Sequence, residues 1–265
     1  MISLRKLFEY RLYYAQVILH RLQGKANMDM RTNGEFNVLR RLIGRNSYVI
    51  DVGCNIGGWI SEARRVSTGE QARFLAVDAN SNVLEALRHK FQGDKRVSVR
   101  HCAISDFVGK ANLWRDANNM LSTSNSLYRH YYLVGGGSVD VVTLDVILSE
   151  LRWPRVDFLK LDIEGSEVPA LRGGSEAMNT GAIRYIQFEY SNTWIKAHTS
   201  LEDVFDICSK TGYRAYRILP KGLTLLEEYH YLLDDFVYAN ILLVAPGLQV
   251  PLSIRKNTLP SFNTL

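Results

Sequence analysis

Two hydrophobic rhythms alternate along the middle of the chain. Apolar runs ending in an acid, "YVIDV" at 48–52 and "RFLAVDA" at 73–79, read as buried strands. Each precedes apolar residues at helical spacing: Ile60, Ala63 and Val66 over 57–66, then Val83, Leu84, Leu87 and Phe91 over 80–91. The run "RVSVRHCAI", 96–104, predicts a third strand. Further on, "VDFLKLD" at 156–162 predicts a central strand, and a helix near 166–172 ends at Gly173 and Gly174. "AIRYIQFEY", 182–190, predicts another strand, and 201–210 a helix with Leu201, Val204, Phe205 and Cys208 inward. Strands joined by single helices imply right-handed crossovers and a mostly parallel sheet covered on both faces. The last apolar runs, "YRAYRIL" and "VYANILLVA", pair as its far, antiparallel edge. The expected class is α/β.

Other stretches depart from this rhythm. Residues 2–22 predict a helix with Leu4, Leu7, Phe8, Tyr14, Ala15, Ile18 and Leu22 roughly on one face and cations on the other. The expectation is a helix packed against its own domain, with peripheral membrane contact as the alternative. After the Asn33-Gly34 turn, a short helix over 35–43 turns Phe36, Leu39, Leu42 and Ile43 inward. Residues 109–115 predict an extra strand, and 115–130 a polar loop. Gly135, Gly136 and Gly137 suit a turn or hinge, so that loop and hinge together form a lid over substrate. The expected division is a helical extension over 1–47, a main domain over 48–247 and a partly loose tail over 248–265.

Composition narrows the function classes. The 265 residues carry 32 basic and 27 acidic side chains, a net charge of +5. The excess is modest, and cations cluster only as pairs such as Arg40-Arg41 and Arg64-Arg65, so a nucleic-acid partner is not expected. Three scattered cysteines, Cys54, Cys102 and Cys208, make neither a disulfide framework nor a CxxC site, and point to a reducing, cytoplasmic setting. The N-terminal stretch lacks the apolar core of a secretory signal, and no run of 18 apolar residues predicts a spanning helix.

The candidate chemistry starts at "DVGCNIGG", 51–58. Four acids, Asp51, Asp78, Asp162 and Glu189, fall at or just after predicted strand ends, where open parallel sheets bind ligands. Gly53 permits a tight exit. Gly57 and Gly58 clear space at a helix start whose amides attract an anion. Asp51 is placed to hold an ammonium group, and Asn55 to shape the loop or touch the ligand. Asn55 stands where a dinucleotide fingerprint has its middle glycine, which argues against NAD, and the absence of GK[ST] excludes a P-loop. Asp78 suits the two hydroxyls of a ribose, or else caps a helix. An acid ahead of the glycines favours S-adenosylmethionine, whose amino-acid end carries both an ammonium and a carboxylate.

Several stretches resemble the FkbM family of S-adenosylmethionine-dependent methyltransferases: "NGEFNVL", "YVIDVGCNIGGW", "FLAVDANSNVLEAL", "CAISDFVGKANL", "VVTLDVIL", "IQFEY" and, most specifically, "VDFLKLDIEGSEVPALRGG". They cover roughly residues 33–190. The resemblance implies a Rossmann-like class I methyltransferase fold and transfer to an oxygen, often a hydroxyl of a sugar or natural product. It places Asp51, Gly53, Asn55 and Gly57 around the methionine part of the cofactor, and Asp78 at the ribose. Ala103, Ile104, Ser105 and Asp106, after Cys102, fall near the adenine, with Ser105 and Asp106 facing its amine.

A sulfonium methyl is already activated, so the protein must align a nucleophile and exclude water. Asp162 is the leading candidate for orienting cofactor or acceptor. Glu164 is a candidate base, while Glu167 suits a first helical turn. Glu189 ends the next strand. Asp162 with Glu189 is also a candidate site for a divalent cation such as Mg2+, although paired carboxylates bind sugar hydroxyls without metal. His198 is a candidate base in a loop. Tyr131, Tyr190 and Trp194 are candidates for an aromatic floor under a sugar. The expected activity is O-methylation of a small-molecule hydroxyl, a carbohydrate-containing acceptor foremost. The rivals are a nucleic-acid methyltransferase, an NAD-dependent oxidoreductase and a non-catalytic cofactor-binding protein.

Overall fold

The computed structural model describes residues 4–116, 124–130 and 133–256. Two helices open it, α1 (Leu4–Leu22) and α2 (Glu35–Leu42). The βα rhythm follows as β1 (Tyr48–Val52), α3 (Gly58–Val66), β2 (Arg73–Asp78), α4 (Ser81–Lys90) and β3 (Val97–His101). Then come β4 (Ala103–Ile104), β5 (Gly109–Asp116), β6 (Leu133–Val142) and α5 (Leu144–Leu151). The second half runs β7 (Phe158–Leu161), α6 (Glu167–Arg172), α7 (Ser175–Asn179), β8 (Tyr185–Tyr190), α8 (Trp194–Ala197) and α9 (Leu201–Thr211). The chain closes with β9 (Arg214–Leu219), β10 (Gly222–Leu226), β11 (Ala239–Val244) and β12 (Ile254–Lys256).

Among the described residues, nine strands form one sheet in the order β12-β10-β9-β11-β8-β7-β1-β2-β3. The β3, β2, β1, β7 and β8 neighbours pair in parallel, and β11 runs antiparallel between β8 and β9. The order reverses between β1 and β7, which places a ligand cleft beyond their carboxyl ends. Side chains alternate across the sheet. Ile50, Val52, Leu75 and Val77 pack with Leu144, Ile147, Val168, Leu171 and Val204 from α5, α6 and α9. Val49, Phe74 and Ala76 pack with Leu39, Trp59, Ile60 and Leu87 from α2, α3 and α4. Burying one such side chain stabilises by about 1.5–3 kcal/mol. Phe158 lies at 0% exposure in β7 against Trp59 and Tyr185, so its truncation to Ala costs about 3–5 kcal/mol.

Local caps end the helices as residue chemistry dictates. The Asn80 side chain accepts from Asn82 N at the start of α4, and Thr143 from Val146 N at the start of α5. Ser200 and Asp203 form a capping box on α9, which Gly212 terminates in a left-handed conformation.

Four expectations are corrected. The run 96–104 is two strands: β3 joins the main sheet, and β4 joins β6 and β5 in a separate small sheet. Gly135, Gly136 and Gly137 lie inside β6, paired with β5, rather than in a turn or hinge. The polar loop falls partly outside the described residues, at 117–123, as does Tyr131. The tail contributes β12, parallel to β10, with residues 257–265 outside the described residues. Finally, α1 does not pack its apolar face on the domain: Leu12, Ile18, Leu19 and Leu22 are all exposed.

Candidate active site

The turn after β1 is built by backbone strain that glycine tolerates. Gly53 has φ +76°, and a Cβ there would lie 1.8 Å from the Asp162 carbonyl oxygen. The end of β1 thus touches the end of β7 directly. Gly53 N and Cys54 N both donate to the Val77 carbonyl, at 2.9 and 3.1 Å, and Asn55 N donates to Asp78 Oδ2 at 2.7 Å. The first amides of the loop are therefore spent on β2 rather than offered to an anion. Asn55 takes φ +46°, a left-handed value that Asn tolerates better than most residues.

A small pocket, with about 40 Å³ of free room and an open mouth, lies beside this loop. One wall is polar, with Asn55, Asp78, Asp162 and Ser166; the other is apolar, with Ala103, Ile104, Leu113 and Leu127. The segment 124–130 covers one side. Its Ser126 exchanges backbone hydrogen bonds with Trp114, and its Oγ donates to the Glu164 carbonyl at 2.8 Å. Asn55 Oδ1 and Ser166 Oγ are buried without hydrogen-bond partners. Two unsatisfied groups on one wall favour a polar ligand there. Asp78 accepts from Asn55 N and Asn80 N, and burial pushes its carboxyl up against the pull of those bonds. Asp78 and the apolar Ala103 and Ile104 are the residue types that a ribose and an adenine ring would need. The residues present therefore suit S-adenosylmethionine.

Below the cavity lies a polar network around one cation. Lys160 in β7 is 3% exposed, donates to Asp162 Oδ2 at 2.6 Å, and stands 4.0 Å from Glu35. Asn33 and Gln187 each donate to Glu35 at 2.6 Å, and Asn240 donates to it at 3.1 Å. Tyr238 donates to Glu189 Oε1 at 2.9 Å. Burial alone pulls the Lys160 ammonium down, but Asp162, Glu35, Glu189 and Asp51 outweigh it and hold the group charged. Burial and then Asp162 push Glu189 well above the carboxylate range. Asp51, sealed beneath the loop at 0% exposure, is pushed to about 7 by burial despite Lys160. Burial, Asp162 and Glu167 push Glu164 to about 8. Glu167 also rises to about 7 by burial, and accepts from Ile163 N and Gly165 N, shaping the turn.

The cavity thus gathers Gly53, Asn55, Asp78, Ala103, Ile104 and Asp162. Asp51 lies beneath it. Gly57 packs instead toward Leu87 and Phe91, and the buried Ser105 donates to Asp106, with neither residue lining the cavity. Glu164 and Glu189 stand in the acidic network, while His198 is an exposed left-handed cap after α8, outside the cavity. One expectation fails here. Tyr190 and Trp194 are core residues at 1% and 0% exposure, stacked with Phe236 and Phe188, and floor no site. Among the described residues, no group of three or more His, Cys, Asp or Glu is arranged to hold a metal ion, and Asp162 pairs with Lys160 instead. The divalent-cation expectation therefore finds no support in this arrangement. Sequence reasoning missed Tyr238 and the pairing of Glu35 with Lys160, whereas the 125–127 wall falls within the 115–130 loop expected over the substrate. The odd placement of a lysine within "FLKLD" was the one local signal of the buried network.

A family model described as Methyltransferase FkbM domain matches residues 51–215. Among curated proteins, 2-O-methyltransferase NoeI of Sinorhizobium fredii is 25% identical over 158 residues, 54% of this chain and 63% of that protein. The match therefore spans less than two thirds of that relative. A methyltransferase FkbM structure from Methylobacillus flagellatus is 16% identical with a TM-score of 0.49, covering 76% of this chain and 44% of that one. An rRNA methylase structure from Streptococcus thermophilus is 10% identical with a TM-score of 0.46, covering 84% and 100%. Among the described residues, no helix is long and apolar enough to cross a membrane.

Proposed function

Because the chain belongs to the FkbM methyltransferase family, we propose that it transfers a methyl group from S-adenosylmethionine to a hydroxyl oxygen of a small molecule, a sugar or glycosylated natural product foremost. The observation that carries this reading is that Asp162 shares one cavity wall with Asn55 and Asp78, next to the apolar slot of Ala103 and Ile104. The name of the distant relative, a 2-O-methyltransferase, supports the choice of oxygen.

Asn55 and Ser166 would hold the amino-acid end of the donor, Asp78 its ribose, and Ala103, Ile104, Leu113 and Leu127 its adenine. When bound, the donor supplies a methyl carbon on a cationic sulfur that departs as a neutral thioether. Asp162 accepts a hydrogen bond from the acceptor hydroxyl and aims its lone pair along the line of attack. As the O–C bond forms, the hydroxyl proton passes to the Asp162 carboxylate. Lys160 clamps that carboxylate at 2.6 Å, so its orientation is set before substrate arrives. Of the cation pairs noted in the sequence, Arg40 and Arg65 pair with Glu62 and Arg64 with Asp94.

The test is labelled methyl transfer to a panel of sugars, with and without chelator, alongside Asp162→Asn. Transfer to a hydroxyl that the chelator leaves intact, and that Asp162→Asn cuts at least a hundredfold with donor affinity retained, is expected. Donor binding with no transfer to any hydroxyl acceptor would sink the assignment.

A further inference from the structure

The first helix, α1, is amphipathic, and its apolar stripe faces solvent. Leu12, Ala15, Ile18, Leu19 and Leu22 share one face at i, i+3, i+4 and i+7 spacing. Leu12, Ile18, Leu19 and Leu22 are 55–71% exposed. The half-buried positions are Val17 and His20, on the opposite side. Cations accompany the stripe: Arg11 and Arg21 in the described part, with Arg5 and Lys6 earlier in the sequence against a single acid, Glu9. At its C-terminal end, a recess brings Arg21 together with Lys221 and Arg255, and no carboxylate is among the described residues that line it.

The chain leaves α1 through a fixed joint. Lys25, 4% exposed, pairs with Asp235 and bridges to Ala239, and Ala26 N donates to the Tyr238 carbonyl at 2.8 Å. Ala239 sits opposite Tyr190, at the carboxyl end of β8. The helix is therefore rooted at the sheet edge that carries Asp162 and Glu189.

We propose that α1 is a membrane-surface helix, which lays this edge of the protein against a bilayer containing anionic phospholipid. The exposed leucine and isoleucine stripe enters the headgroup boundary. Arg11 snorkels from within it, and Arg21, Lys221 and Arg255 face the lipid phosphates. Charge complementarity selects this occupant, because an apolar stripe ringed by cations repels a second copy of itself while it matches an anionic surface. The proposal stands apart from the methyl-transfer reading, since it uses no residue of the cavity.

The experiment is flotation of the full chain with vesicles of phosphatidylcholine alone and of phosphatidylcholine mixed with phosphatidylglycerol, at low and high salt. Binding to the mixed vesicles only, weakened by salt, is expected. Ile18→Asp with Leu19→Asp should reduce it at least tenfold. Reversing Arg21, Lys221 and Arg255 to Glu should cost at least fivefold for each cation removed. All variants should keep the wild-type melting temperature and S-adenosylhomocysteine affinity, which confirms that they fold. No flotation, or equal binding to neutral vesicles, overturns the proposal. So does a dimer in sedimentation velocity that Ile18→Asp with Leu19→Asp dissociates, because the stripe would then belong to a second copy.

Discussion

Replacing Gly53 by Ala tests how the two central strand ends are locked together. The added Cβ would sit 1.8 Å from the Asp162 carbonyl oxygen and 2.7 Å from its carbon, where ordinary contact needs more than 3 Å. The oxygen cannot retreat freely, because Asp162 N is tied to the Val52 carbonyl at 3.0 Å. The backbone at φ +76° adds about 1 kcal/mol for any residue with a Cβ. A displaced hydrogen bond adds about 1 kcal/mol, and the residual overlap about as much again. The expected loss is about 3 kcal/mol, or about 6–12 °C in melting temperature for a chain of this size. The same displacement shifts Asn55 and Asp162, so affinity for S-adenosylhomocysteine should fall about thirtyfold. At a ligand concentration about 100-fold above the wild-type Kd, the wild type gains about 2.7 kcal/mol from ligand and the variant only about 0.9. Differential scanning fluorimetry with and without ligand reads both numbers. Gly58→Ala is the control: nothing lies within 4 Å of its added Cβ, it opens α3 without a positive φ, and it should leave both numbers unchanged or slightly improved. A Gly53→Ala protein that melts like the wild type and keeps its ligand shift would refute the contact.

Lys160→Met should destabilise by about 3–5 kcal/mol at pH 8, since Glu35, Asp51 and Asp162 lose their shared cation. Thermal melts at pH 5, where Asp51 holds its proton, should show a smaller loss, and a pH-independent loss would mean packing alone is at stake. Asp78→Asn should weaken S-adenosylhomocysteine binding about 10- to 100-fold by equilibrium dialysis, because charged hydrogen bonds of about 1.5–3 kcal/mol are lost; unchanged affinity would leave Asp78 as a helix cap only. Asp51, Glu167 and Glu164 titrate at about 7, 7 and 8 in the folded chain, above their unfolded values near 4, so the folded state holds more protons between those limits. Stability should therefore fall as pH rises from about 4 to about 8, and Glu164→Gln should flatten the upper part of that slope in denaturant titrations.

Much of the fold was legible because periodicity is a local property. The alternation over 48–91 places β1, α3, β2 and α4 within a residue or so of their observed bounds. The cavity residues Asn55 and Asp78 were legible because a turn and a strand end are local too. Misreadings arose where tertiary contacts overrode local preference. Three glycines suggest a turn, yet β6 runs through them: Gly135 pairs with Trp114 and Ser138 with Asn112, and Gly136 and Gly137 fall at a shift in register between the two. Tyr190 and Trp194 look like ligand-facing aromatics, but the sheet turns them into the core. The hydrogen-bonded partner of Lys160, Asp162, is two residues on, but the other acids around it come from α2, β1 and β8, distant in sequence, so no local pattern names them.

The surplus of carboxyls over ammonium beside the cavity has a consequence for turnover. Lys160 faces Asp51, Asp162, Glu35 and Glu189, and the neighbouring Glu164 holds its proton to about pH 8. A sulfonium donor would bring a fixed positive charge into that field, and its thioether product would not. Loading the donor should therefore expel a fraction of a proton into solution, and departure of product should take up less. Donor affinity then strengthens with alkalinity while product affinity barely moves, so product inhibition fades toward higher pH. Calorimetry in buffers of different ionisation enthalpy counts those protons, and equal counts for donor and product would show that the acids do not sense the sulfur.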